Sequence, residues 1–135
     1  MSTSKKAIEV AKNQKSQNDD LKGVKYFMNQ SLLTIALYKP YIGKEQELNE
    51  ILKTHVFTLR DENLITSLEP IRIISENGTV IEIFEWRSEE AKEHAHNSNQ
   101  VLTIWNNMME IAEMTSLSSL PEASTLFPNF KPYSL

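Results

Sequence analysis

The sequence has 135 residues and no cysteine, which excludes a disulfide framework, a thiolate zinc site, an iron–sulfur cluster and a cysteine nucleophile. The formal net charge is −4 and the lysines are scattered among acids, unlike the concentrated basic face that nucleic-acid binding requires. No run approaches the ~20 apolar residues of a membrane helix, and the N-terminus lacks the apolar stretch of a secretory signal. We therefore expect one soluble, cytoplasmic domain with no nucleic-acid or membrane partner.

Residues 1–30 differ in composition from the rest of the chain. They are rich in Lys, Asn, Gln, Ser and Asp and contain few large apolar side chains. Such a composition buries too little apolar surface to offset the loss of chain entropy on ordering. The sequence predicts a polar N-terminal extension over residues 1–30 and one folded domain over residues 31–135.

A strand and a helix are predicted at the start of the domain. Residues 32–38 are β-rich and apolar on both alternate faces, and Pro40 stops the run, which is typical of a central strand covered on both sides. Apolar residues then recur at spacings of three and four, which predicts an amphipathic helix from about Lys44 to Arg60. His55 lies on its apolar stripe, so we expect a partly buried side chain with a satisfied ring nitrogen.

Two strand-like runs, residues 71–74 and 80–86, are joined through Asn77-Gly78, a dipeptide that favours a two-residue type I′ hairpin turn. That turn pairs Ile73 with Glu82. One face of the hairpin is then predicted to carry Ile71, Ile73, Val80, Glu82, Phe84 and Trp86, and the other Arg72, Ile74, Ile81, Ile83 and Glu85.

A second helical region follows the hairpin. Ser88, followed by two glutamates, has the pattern of a helix N-cap, and the polar residues 97–99 are expected to bend or interrupt the helix. A helical stripe resumes over residues 101–112, and a weak last strand is predicted near Met114 to Leu120. Two prolines beyond it predict a short helical turn and an extended, aromatic tail.

The order strand, helix, strand, strand, helix, strand predicts an α+β fold, a ferredoxin-like βαββαβ antiparallel sheet with helices on one face. Two helices cover only one face, whereas the strands are apolar on both. A homodimer is the simplest way to bury the second face. The sequence therefore predicts a dimeric α+β barrel.

The segment 84–91 ends a strand with Trp86 and opens a helix with a basic residue, serine and two acids. Together with His96, Asn99, Val101 and Trp105, it resembles the dimeric α+β barrel superfamily of antibiotic-biosynthesis-monooxygenase-like proteins, mainly its small, uncharacterised bacterial members. The resemblance covers residues 32–133. It implies a barrel formed by two subunits and an activity that varies between members, which include quinone-forming oxygenases, haem-degrading enzymes, decarboxylating or dehalogenating relatives and members with no known activity.

The resemblance also bears on cofactors. The haem-degrading members place an axial histidine late in the second helix, where this sequence has Trp105. The cofactor-free oxygenases use interior Asn, Trp and sometimes Tyr or His residues to position a phenolic substrate whose anion reacts with oxygen. Their first-strand Asn has no counterpart in residues 32–38. Trp105 in place of the axial histidine argues against haem, and we expect a protein without cofactor or metal.

Two residues are candidates for proton transfer. His96 precedes the polar break in the helix, where a neutral imidazole can serve as a general base, although a hydrogen bond to the broken helix is the alternative. His94 and His96 point about 200° apart on a helix and are not a chelating pair. Glu82 is a carboxylate on an apolar face, so it is either a pocket base with a raised pKa or a buried partner at the dimer seam.

Four further residues are candidates for substrate binding: Tyr38, His55, Trp86 and Trp105. The two indoles can stack on an aromatic ligand or simply form core. An Arg72–Glu85 ion pair is expected on the opposite face. The leading hypothesis is a cofactor-free, monooxygenase-like enzyme for a small aromatic or apolar molecule, and the alternative is a non-catalytic ligand-binding or dimeric interaction domain.

Overall fold

The computed structural model describes residues 30–135. It is a mixed α+β fold with a five-stranded antiparallel sheet and three α-helices. The elements are β1 (Leu32–Pro40), α1 (Glu45–Asp61), β2 (Ile71–Ile74), β3 (Val80–Trp86), α2 (Glu89–Ala95), α3 (Asn99–Ile111), β4 (Ala112–Met114) and β5 (Lys131–Pro132). The predicted extension, apart from its last residue, lies outside the described residues. Within them, no helix is long and apolar enough to cross a membrane.

The sheet has the strand order β4-β1-β3-β2-β5, so the two longest strands lie side by side near its centre. All of the strand pairs are antiparallel. In the central pair, Ala36 lies opposite Glu82 and Tyr38 opposite Val80. The chain thus places a phenol and a carboxylate on the same face of adjacent strands.

The helices cover one face of this sheet, which we call the helix face. Leu48, Leu52 and Leu59 of α1 are completely buried, as the predicted amphipathic stripe requires. Two apolar clusters form the core beneath the helices, one around Leu59, Phe84 and Trp86, the other around Tyr38, Leu48 and Leu52. The helix face therefore carries most of the buried core.

The predicted break in the second helical region is present. Ser88 caps α2 by accepting a hydrogen bond from the backbone N–H of Ala91 at 3.1 Å. A second serine, Ser98, caps α3 by accepting from the backbone N–H of Val101 at 3.3 Å. Each hydroxyl satisfies a backbone donor that a helix start leaves unpaired.

The predicted hairpin register is wrong by one residue on β2. The loop has three residues, 76–78, because Ser75 N–H donates to Thr79 O at 2.9 Å and Gly78 N–H donates to Ser75 O at 3.0 Å. A type I′ turn needs positive φ at both central residues, whereas here Gly78 alone of the two has it, at +90°. Ile73 consequently pairs with Ile81, and Arg72 pairs with Glu82.

The shift exchanges the faces of β2 and leaves those of β3 as predicted. Arg72 and Ile74 now lie on the helix face with Glu82, while Ile71 and Ile73 lie on the opposite face, which we call the open face. Arg72 and Glu85, expected to form an ion pair, therefore point to different sides. This exchange decides the electrostatics of the site.

The C-terminal region also differs from the prediction. The last strand expected near residues 114–120 begins earlier, as β4, directly at the end of α3. A short 3₁₀ turn, Leu117–Ser119, replaces the rest because Ser119 donates through both its backbone N–H and its hydroxyl to Ser116 O. A second 3₁₀ turn, Pro121–Ser124, leads to β5, which pairs with the free edge of β2.

The tail covers only part of the open face. Leu120 and Phe130 pack over Leu37 and Ile81. The side chains of the open face beyond Leu37, towards the start of β1, remain exposed in the single chain. The exposed fraction is 65% for Leu33, 46% for Ile35 and 53% for Ile71. A patch of large apolar side chains on the central strands is thus left uncovered by the residues that the structure describes.

Candidate functional site

A cavity of about 400 Å³ lies between the helix face of the sheet and the helices. Its size falls within the range of small-molecule sites. The wall is mainly apolar and aromatic, with contributions from β1, β3, β4 and all three helices. It is lined by Thr34, Ala36, Tyr38, His55, Phe84, Trp86, Lys92, His96, Trp105, Met108, Met109 and Met114.

Five of the six predicted site residues line this cavity: Tyr38, His55, Trp86, His96 and Trp105. The sixth, Glu82, lies behind the wall and reaches the cavity through Tyr38, whose hydroxyl donates to Glu82 Oε1 at 3.4 Å. The structure therefore brings all six into one region.

Glu82 is a fully buried carboxylate held by a charged partner. Arg72 Nε donates to Glu82 Oε2 at 2.8 Å, and the Arg72 side chain is 18% exposed. Burial raises the pKa of Glu82, while the Arg72 charge and the hydrogen bonds from Arg72 and Tyr38 oppose that rise. The result is a carboxylate that holds a proton more readily than an exposed one.

Tyr38 connects this carboxylate to the cavity. Burial, followed by the neighbouring charge of Glu82, raises the pKa of the phenol well above its usual range. The hydroxyl thus remains protonated, and its hydrogen is directed at Glu82. Its oxygen retains lone pairs that can accept a hydrogen bond from a molecule in the cavity.

His55 is buried more completely than expected, with 2% of its surface exposed. Its Nε2 accepts a hydrogen bond from Trp105 Nε1 at 2.9 Å, whereas Nδ1 has no hydrogen-bond partner among the described residues and lies 3.9 Å from Glu82 Oε1. Burial, with the Arg72 charge as a second cause, lowers the pKa of His55 from 6.5 to about 4. His55 is therefore a neutral imidazole at physiological pH.

His96 lies at the exposed end of the cavity, as the C-cap of α2. Its Nδ1 is 2.9 Å from Lys92 O, so the neutral ring donates through Nδ1 and presents Nε2 as an acceptor. The ring also packs edge-on against Trp105, with ring centroids 4.9 Å apart. His96 thus combines a hydrogen bond to the end of its helix with a place in the cavity wall.

The expected Arg72–Glu85 ion pair is absent. Glu85 instead accepts hydrogen bonds from the hydroxyls of Ser31 and Thr66, each at 2.7 Å, and these bonds lower its pKa. The one-residue register shift is the cause, because it places Arg72 opposite Glu82 on the helix face. Arg72 is therefore a site residue that sequence reasoning assigned to the wrong face.

Seven wall residues were not among the predicted site residues: Thr34, Ala36, Phe84, Lys92, Met108, Met109 and Met114. Two of the methionines follow Trp105 at spacings of three and four on α3, a helical pattern that can be recognised in the sequence. The other five come from β1, β3, α2 and β4, and no local pattern connects them. Lys92 is the one cation of the wall, paired with Glu89 at 2.8 Å.

The described residues contain no group of three or more His, Asp or Glu side chains placed to hold a metal ion. The groups able to act chemically are the buried Arg72–Glu82–Tyr38 network, His55, and His96 at the mouth. Together they can bind a mainly apolar molecule, form hydrogen bonds at two ends of it, and hold or release a proton at Glu82.

Comparisons with known proteins support the fold alone. No family model matches the chain, and no curated protein matches it in sequence. A conserved protein from Methanosarcina mazei is similar in structure, with a TM-score of 0.55 and 14% identity over 67% of this chain and 92% of that one. A Bacteroides thetaiotaomicron protein of unknown function, described as a possible oxidoreductase, has a TM-score of 0.57 and 11% identity over 64% and 93%. A Mycobacterium tuberculosis protein has a TM-score of 0.53 and 19% identity over 64% and 91%.

Proposed function

We propose that the protein binds a small aromatic or otherwise apolar molecule in the cavity and acts on it as a cofactor-independent, monooxygenase-like enzyme. The observation that carries the proposal is the cavity itself, which combines an aromatic and methionine wall with a buried carboxylate, Glu82, that is reached through the Tyr38 hydroxyl. An apolar cavity with a few convergent polar groups is the usual form of a ligand site.

The architecture supports the same proposal. The strand order β4-β1-β3-β2, with the helices on one face, agrees with a ferredoxin-like sheet to which β5 is added at the edge. The segment 84–91 resembles monooxygenase-like barrels, and one structural neighbour is described as a possible oxidoreductase. Because fold similarity does not transfer function, the residues of the cavity carry the chemical argument.

In the proposed reaction, Tyr38 accepts a hydrogen bond from a bound hydroxyl and passes the proton to Glu82. The electron-rich anion reacts with dioxygen: one oxygen atom enters the substrate, and the other leaves as water with two substrate hydrogens. No external reductant is required. His96 lines the cavity and its Nδ1 is engaged by Lys92 O, which leaves Nε2 as an acceptor, so it is the second candidate base.

The test compares two substitutions on one strand. A ligand is first identified by native mass spectrometry of the purified protein and by a fluorescence screen of small aromatic molecules. The rate at which the protein consumes dioxygen in the presence of that ligand is then measured. Glu82→Gln is expected to keep ligand binding and to lower turnover by at least about 100-fold, the lower end for a proton-transfer residue. The control Glu85→Gln changes the same residue type on the open face and should turn over normally. Equal turnover in both variants would reject Glu82 as the base.

The alternative is a non-catalytic ligand-binding or dimeric interaction domain. It is favoured by the position of Glu82 behind the wall, where its pairing with Arg72 is consistent with a structural role. This alternative predicts saturable ligand binding without oxygen uptake. It also predicts that Glu82→Gln destabilises the protein, since removing one member of a buried pair costs about 3 to 5 kcal/mol. An effect on dimerisation is not expected, because Glu82 lies on the helix face and not at the predicted dimer seam.

We also propose that the open face is buried in a homodimer, forming the dimeric α+β barrel. Leu33, Ile35 and Ile71 form an exposed patch on strands whose other face is core. Sedimentation at micromolar concentration is expected to give twice the chain mass, and Ile35→Lys is expected to give a monomer. Phe57→Lys, which changes a 70% exposed side chain on α1, is the matched control and should remain dimeric. A monomeric parent protein would reject the barrel.

A further inference from the structure

We propose that Trp105 is a positioning residue that holds the proton of neutral His55 on Nδ1 and so directs an imidazole N–H group at the carboxylate of Glu82. The proposal is independent of the reaction catalysed. It concerns how hydrogen bonds are oriented behind the cavity wall. Trp105 would then be more than an aromatic surface for a ligand.

The first step is the direction of the Trp105–His55 hydrogen bond. An indole nitrogen is a donor only, so the 2.9 Å contact requires His55 Nε2 to be the unprotonated acceptor. Both side chains belong to the packed interior around the cavity, and Phe84 contacts the His55 ring edge-on with ring centroids 6.0 Å apart. The imidazole is thus held from two sides, and one of its nitrogens has a defined role.

The second step follows for the other nitrogen. A neutral imidazole carries one proton, so an unprotonated Nε2 places that proton on Nδ1. Nδ1 lies 3.9 Å from Glu82 Oε1, and it has no hydrogen-bond partner among residues 30–135. This distance exceeds that of a hydrogen bond, so the N–H acts on the carboxylate as a nearby dipole.

The third step concerns the charges around His55. Glu82 faces it from β3, Arg72 reaches the other oxygen of that carboxylate from β2, and the Tyr38 phenol approaches from β1. On the helix side, the His96 ring packs edge-on against Trp105, the hydrogen-bond partner of His55. Protonation of His55 would place a second hydrogen on Nε2, directly against the indole N–H, so Trp105 also opposes the charged form.

These steps assign different roles to the two buried titratable groups. His55 presents an N–H group near Glu82 and does not accept a proton at neutral pH, whereas Glu82 is the group of the two that can take one up. Trp105 therefore determines that, of these two neighbouring groups, the carboxylate rather than the imidazole is the one that can accept a proton.

The test is nitrogen-15 NMR of the imidazoles, which is simple because the full chain has three histidines, at positions 55, 94 and 96. Histidine-to-glutamine variants assign the signals. In the parent protein we expect His55 to carry its proton on Nδ1 from pH 5 to pH 8. A nitrogen–nitrogen coupling across the Trp105–His55 hydrogen bond is expected in the same sample. A protonated Nε2 in the parent protein would overturn the proposal without any variant.

The variants Trp105→Phe and Trp86→Phe separate hydrogen bonding from aromatic packing, because each removes one indole from the cavity wall. Trp105→Phe is expected to raise the titration midpoint of His55 by about one pH unit, the amount that corresponds to one lost hydrogen bond to the neutral form. Trp86→Phe is expected to leave the His55 nitrogen shifts and midpoint unchanged. Equal shifts in the two variants would show that Trp105 acts through packing alone, and the proposal would be wrong.

Discussion

His55 provides a quantitative test of the electrostatics, through the substitution His55→Gln. Glutamine can accept the Trp105 N–H through its amide oxygen but does not titrate, so the variant removes the ionisation of the site while retaining a hydrogen-bond acceptor. The parent protein and the variant should therefore differ in the pH dependence of stability.

The magnitude follows from the two states of the chain. The pKa of His55 is 6.5 when unfolded and about 4 when folded, so below pH 6.5 the unfolded chain gains a proton that the folded chain does not accept. The stability contributed by neutral His55 is complete above pH 6.5 and is lost as the pH falls towards 4. This gap of about 2.5 pH units corresponds to about 3 kcal/mol, since each unit is worth about 1.4 kcal/mol.

The assay is urea unfolding followed by tryptophan fluorescence at several pH values from 7.5 to 4. The free energy of unfolding of the parent, relative to His55→Gln, should fall by about 3 kcal/mol across this range. Taking the difference cancels the other titrating groups that the two proteins share. His94→Gln, which changes an exposed histidine on α2, is the control and should follow the parent. Parallel curves for the parent and His55→Gln would refute the reasoning.

Two further predictions concern the hairpin. Arg72→Met should destabilise the protein by about 3 to 5 kcal/mol near pH 8, because it leaves Glu82 buried without its charged partner. The loss should be smaller near pH 5, because burial raises the pKa of Glu82, the loss of Arg72 removes a group that opposes this rise, and a protonated carboxyl leaves no unpaired charge. Urea unfolding at both pH values measures the loss of stability. The control is Arg60→Met, which breaks an exposed ion pair worth at most about 1 kcal/mol. A loss in Arg72→Met that does not depend on pH would contradict the prediction. Gly78→Ala should cost about 1 to 2 kcal/mol because φ is +90° there with nothing near the added methyl group, whereas Glu76→Ala in the same loop should be nearly neutral in thermal unfolding; equal losses would exclude a backbone effect.

The register error shows where local sequence signals stop. Asn77-Gly78 correctly marked a hairpin, yet two-residue and three-residue loops both place a glycine with positive φ after an asparagine. The choice between the two loop lengths depends on which β2 residue lies opposite Glu82. The three-residue loop places Arg72 there, and its charge pairs with the buried carboxylate, whereas the two-residue loop would place Ile73 there and leave the carboxylate unpaired. This difference in free energy arises only when the sheet is assembled and Glu82 is buried.

The sequence by itself determined the elements whose signals are periodic or local: the amphipathic stripe of α1, the alternation of β3 that directs Glu82 inward, and the presence of a break between α2 and α3, which the structure has at residues 96–98. The tertiary structure alone decided which side chains meet. His55 and Trp105 are 50 residues apart, and Tyr38 and Glu82 are 44 apart, so no local pattern encodes their hydrogen bonds. The physical reason is that a pattern records which face a residue occupies, whereas contacts between faces depend on how separate elements pack.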